Sequence, residues 1–115
     1  MNEHDKLSQK AISLLLNEDN DLYVSLASLW EIAIKVSLGK LALRVGGVGV
    51  FTSLIEIMPI ELLPISSSYI VVVERLPFIH RDPFDRLLIA TAMTEGMTIV
   101  TVDENMSKYD VATIW

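Results

Sequence analysis

The stretch DPFDRLLIATAMTEG, residues 82–96, carries both its own beginning and its own end. Asp82 can accept hydrogen bonds from the unpaired amides that open a helix. Pro83 suits the first helical position, where no amide is needed, and Asp85 at the third places negative charge at the positive end of the helix dipole. Leu88, Ile89, Ala92 and Met93 recur at helical spacing on one face, and Gly96 supplies the stop. MTIVT (97–101) follows at once as a strand. A helix fixed at both ends and handed straight to a strand limits the chain to folds in which the two alternate.

The remainder keeps the same alternation. Leu7 to Leu16 reads as a helix capped by Ser8, with Leu7 and Ile12 placed as a hydrophobic staple. LYVSL (22–26) reads as a strand, and the following segment as a helix that Ser28 opens and Gly39 ends. RVGGVGV (44–50) has three glycines but lacks the Gly-Lys-Ser/Thr ending of a phosphate loop, and reads as a flexible connection. FTSLIEIM (51–58) reads as a short helix ended by Pro59, ELLPI (61–65) as a strand, and SSSYIVVVERL (66–76) as a serine-capped helix, although its β-branched core has strand propensity as well. DVATIW (110–115) reads as a last strand. Strands alternating with helices give an α/β class with a mostly parallel sheet.

Length and composition set the outer limits. At 115 residues the chain suffices for one domain and one core, so a single domain over 1–115 is expected. Half of the residues are apolar (51%), yet no apolar run reaches the length of about 18 that a bilayer helix requires. No export signal is recognisable at the N-terminus, and the absence of cysteine excludes disulfides and thiolate chemistry and agrees with the cytoplasm. A net charge of −6 is opposite in sign to the usual footprint of a nucleic-acid binder. Any such role must rest on a local site, and a bound cation is one way in which a cluster of acids can invert the local charge.

In parallel sheets, ligands gather at the carboxyl ends of the strands. Glu31 lies shortly after LYVSL, Asp103 shortly after MTIVT, and Asp85 opens a helix, so these three acids are expected on one rim. Each also has an ordinary account. Ser28 and Glu31 fit a capping box, and Glu31 can pair with Lys35 one turn on. Asp85 favours a helix start in any case, Asp82 fits a cap, and Asp103 in TVDEN fits turn chemistry. His80 reads as a surface or capping residue. No serine sits in a nucleophile elbow.

Three separated segments, YVSLASLWEIAIKVSLGKL, HRDPFDRLLIATA and TIVTVDENMSKYDV, resemble the PIN-domain toxins of the VapC type. The resemblance runs from about Leu7 to the C-terminus. It implies an α/β fold with a mostly parallel sheet flanked by helices, and a ribonuclease that uses Mg²⁺ or Mn²⁺ held by acids at the strand ends. Residue by residue, Glu31, Asp85 and Asp103 correspond to the second, third and fourth family acids and are the candidate catalytic and metal-binding residues. Asp82 is expected to support them, and Lys35, Arg81 and Arg86 to touch the RNA backbone. The implied partners are an RNA substrate, a VapB-type antitoxin and a second copy of the chain. Family members open with a strand that carries the first acid. Here that strand and its acid are expected to be absent, Asp5 being no equivalent, so activity is expected to be impaired; the competing expectation is an inactive module that binds antitoxin. A phosphoryl-accepting receiver domain fits less well, because neither its Asp after a first strand nor its late Lys is found.

Overall fold

The computed structural model describes residues 8–40, 49, 52–53, 56–57 and 59–115. The Leu7 staple, the glycine-rich stretch 44–50 apart from Gly49, and half of the helix expected over 51–58 lie outside these residues. The chain divides into two compact units, one of Met1–Asn20 with Ser66–Trp115 and one of Asp21–Ile65.

In the Asp21–Ile65 unit, strand β1 (Leu22–Ser25) pairs in parallel with β2 (Ile60–Leu63), Leu22 opposite Ile60 and Ser25 opposite Leu63. Helix α2 (Leu26–Ser37) follows β1 without a loop. The last strand residue is itself the cap: the Ser25 hydroxyl accepts from the Ala27 amide at 3.1 Å. This corrects the expected start. Ser28 lies within the first turn, and the Ser-x-x-Glu spacing from Ser28 to Glu31 is not a capping box. Ala27 and Leu29 are buried, and the helix closes as expected before Gly39, whose φ of +71° is the left-handed conformation that glycine adopts at least cost.

In the other unit, α1 (Gln9–Leu16) is capped by Ser8, which accepts from the Ala11 amide at 3.0 Å. Helix α3 (Ser67–Arg75) is capped by Ser66. The β-branched run 71–73 is therefore helical, the cap and the following Pro77 outweighing its strand propensity. Helix α4 (Pro83–Glu95) packs against α3, with Gly96 closing it at φ +67°. The hydroxyl of Tyr69, in the first turn of α3, donates to Glu95 Oε1 at 3.0 Å and ties the start of one helix to the end of the other. Strand β3 (Thr98–Val100) pairs in parallel with β4 (Ala112–Ile114), and a 3-10 turn (Glu104–Lys108) lies between them. Both strand pairs are parallel, as the α/β reading requires.

The core of this unit includes Tyr69, Leu76, Ile89, Ala90, Ile99, Met106 and Tyr109. The buried side of α4 differs from the expected one. Ile89 and Ala92 are inside, but Met93 is 36% exposed, whereas Arg86 is only 6% exposed. A charged residue thus occupies a place where the apolar pattern alone would set a leucine.

Candidate active site

Asp103 follows β3 and caps the 3-10 turn, its Oδ1 accepting from the Asn105 amide at 2.9 Å. Its other oxygen, Oδ2, lies 2.8 Å from Nε2 of His80, a residue of the α3–α4 connection. Asp103 is thereby fixed in orientation through both oxygens. The hydrogen bond from His80 is the main cause that holds its carboxyl below the ordinary value of 3.8; partial burial opposes this, and the Asn105 amide and nearby positive charge add to it.

The other side of His80 is defined by Tyr109. The Tyr109 hydroxyl accepts from the His80 backbone amide at 2.7 Å and lies 3.1 Å from Nδ1, and the two rings stack with centroids 5.5 Å apart. A histidine with its single proton on Nδ1 would turn the Nε2 lone pair toward the Asp103 carboxylate at 2.8 Å, two acceptors face to face. The network therefore assigns a proton to Nε2, and in the neutral ring the Tyr109 hydroxyl donates to Nδ1. His80 is thus a positioning residue for Asp103. The sequence reading missed it, because its partners lie 23 and 29 residues away and no local spacing announces them.

Asp82 caps α4 as expected: Oδ1 accepts from the amides of Phe84 at 2.8 Å and Asp85 at 3.3 Å. Asp85 lies half-buried in the first turn of that helix. Arg81 is exposed. Arg86 corrects an expectation. Its Nη1 donates to the carbonyls of Pro77 at 2.9 Å and His80 at 3.4 Å, and its Nη2 to those of Val73 at 2.9 Å and Leu76 at 3.2 Å. A guanidinium buried and spent in this way holds the α3–α4 connection in place and is not presented to an RNA backbone. In the Asp21–Ile65 unit, Glu31 Oε2 pairs with Lys35 Nζ at 3.1 Å across one helical turn, which realises the ordinary account of both residues.

A shallow groove beside Asp103 is lined by Lys10, Thr101, Glu104, Ser107, Thr113 and Trp115 among others. Carboxylates are the donors a hard divalent cation prefers. Among the described residues, however, no three His, Asp or Glu side chains are gathered as a cation site. What the geometry provides on its own is an oriented carboxylate at a strand end, held by a histidine that turns an Nε2 proton toward it and meets the Tyr109 hydroxyl on its other side. Among the described residues no helix is long and apolar enough to cross a membrane.

No curated protein and no solved structure matches the chain. The family model of the PIN domain matches residues 2–112. The match spans nearly the whole length, so the chain belongs to the PIN-domain family, whose members are in general nucleases dependent on divalent metal.

Proposed function

We propose that the chain is an endoribonuclease of the VapC toxin type, acting in the cytoplasm as one PIN-like domain over 1–115 on single-stranded RNA. The observation that carries this reading is the family match over residues 2–112. The fixed Asp103 carboxylate after β3 supports it, because a preset oxygen ligand is what an open Mg²⁺ or Mn²⁺ site on separate elements requires. Asp85 and Glu31 are the other candidate acids. The cation would supply an activated water and shield the phosphodiester from the surrounding negative charge. The chain's own part is to orient Asp103 through His80 and to set Asp85 at the start of α4, with Asp82 supporting that start. Arg81 and Lys35 are the candidate backbone contacts, Lys35 after release from Glu31. A VapB-type antitoxin and a second copy of the chain are the proposed partners.

The test is cleavage of a labelled single-stranded RNA with Mg²⁺ or Mn²⁺ by the parent chain, Asp85→Asn, Asp103→Asn and Glu31→Gln, with Mn²⁺ affinity measured alongside. The reading expects each substitution to depress cleavage at least tenfold and to weaken Mn²⁺ binding. Cleavage that persists through Asp85→Asn and Asp103→Asn would overturn the assignment. A parent chain that neither binds nor cuts RNA would overturn the function.

A further inference from the structure

Phe78 sits in the turn between α3 and α4 and is 82% exposed. A lone apolar side chain at a surface is common and by itself says nothing. This one differs in what lies beneath it. The Arg86 guanidinium carbon is 4.4 Å from the ring centroid, a cation–π contact. The cation cannot follow the ring about, because it is anchored to the carbonyls of Val73, Leu76, Pro77 and His80, on both sides of Phe78 in the chain. The ring therefore rests on a fixed charge and leaves most of its surface to solvent. His80, two residues on, holds Asp103.

We propose that Phe78 is a stacking platform for an unpaired base of the RNA substrate, a purine in preference to a pyrimidine; this rests on the nuclease reading above. A cation against one face of a benzene ring draws electron density toward it and makes the opposite face less negative. That disfavours a second cation, and so a Lys or Arg side chain of a protein partner, while leaving the face suited to a neutral, polarisable, flat group. Nucleobases are such groups, and stacking on an aromatic ring is a general means of holding single strands. Purines present the larger π face. The platform and Asp103 are joined through one turn, so a base held on Phe78 would fix the strand relative to that acid.

The experiment measures binding of short oligo-A and oligo-U RNAs by fluorescence anisotropy, with divalent metal chelated and salt fixed, for the parent chain, Phe78→Ala, Phe78→Leu and Phe78→Trp. Circular dichroism checks the fold of each. Phe78→Ala should weaken oligo-A binding by roughly five- to hundredfold and abolish the preference for A over U. Phe78→Leu, apolar but without a π face, should behave like the alanine variant. Phe78→Trp should restore binding, and its emission, taken above that of Trp30 and Trp115 in the parent, should be quenched by oligo-A. Oligo-A binding unchanged in Phe78→Ala, with or without a loss of self-association, would overturn the platform and leave the nuclease reading standing. Full binding by Phe78→Leu would replace stacking by simple apolar contact and also overturn it. A parent chain that binds neither RNA with metal chelated would overturn the platform, and one that still binds neither when Mn²⁺ is restored would overturn the nuclease reading as well.

Discussion

Replacing Arg86 by Met keeps most of the buried apolar stem and removes all five donors, which isolates the role of the guanidinium. Three of its bonds, to Val73, Pro77 and Leu76, lie between 2.9 and 3.2 Å, whereas the one to His80, at 3.4 Å, is marginal. Val73 and Leu76 are at the C-terminal end of α3, where the Val73 carbonyl also accepts from the Leu76 amide at 3.2 Å and where a cation meets the negative end of the helix dipole. A hydrogen bond from a charged donor contributes about 1.5–3 kcal/mol when considered singly. Three from one group do not add in full, and water can reach the exposed Pro77 once the donor is gone, so a loss of about 3–4 kcal/mol is expected. Against a total stability of about 5–15 kcal/mol that is a large fraction. Arg86→Lys should recover less than half of it, because one ammonium cannot span carbonyls on both sides of the turn. Urea denaturation of the three proteins is the assay. A loss below about 1 kcal/mol for Arg86→Met, or full stability in Arg86→Lys, would refute the clamp.

The helix starts give a paired test. Ser25→Ala and Asp82→Ala should each cost about 1 kcal/mol in urea melts, whereas Ser28→Ala should cost little, since Ser28 does not cap α2. The His80–Asp103 pair has a pH signature. The folded carboxyl lies below its ordinary 3.8, so its contribution to stability is full above that pH and is lost as pH falls through the folded value. Asp103→Asn should flatten the acid side of the stability curve, by a small amount because solvent screens the pair, and an unchanged acid limb would argue against the bond.

The elements whose signals are local were legible. Ser8, Ser66, Asp82 and Gly96 act where they stand in the chain, because a cap needs only the next few amides or carbonyls. The failure at Ser28 is instructive for the same reason. Two serines flank the junction of a β-rich run and a helix, and the Ser28–Glu31 spacing imitates a capping box. The choice of Ser25 depends on where β1 stops pairing with β2, which lies at residues 60–63 and is invisible to a local pattern. His80 and Tyr109 were missed on similar grounds, since their roles exist only once β3 and the turn after it are brought to the α3–α4 connection.

The segment HRDPFDR shows how far charge alone can mislead. Read as sequence, its aspartates serve the start of α4 and the acid site, and both of its arginines face the RNA backbone. In the fold they separate. Asp82 is spent on the amides of α4, Arg86 on carbonyls of the preceding turn, Arg81 is exposed, and Asp85 lies half-buried at the helix start. Arg86 is held from solvent by the carbonyls of Val73, Leu76 and Pro77, of which Val73 also accepts from the Leu76 amide. Under the proposed function, the removal of this cation from the RNA-facing set leaves little fixed positive charge on a chain of net charge −6. Substrate must then be held by means other than a basic surface. A bound cation at the acids and a base stacked on Phe78 are means of that kind, and the buried arginine that cannot touch a phosphate is the cation that lies against the ring.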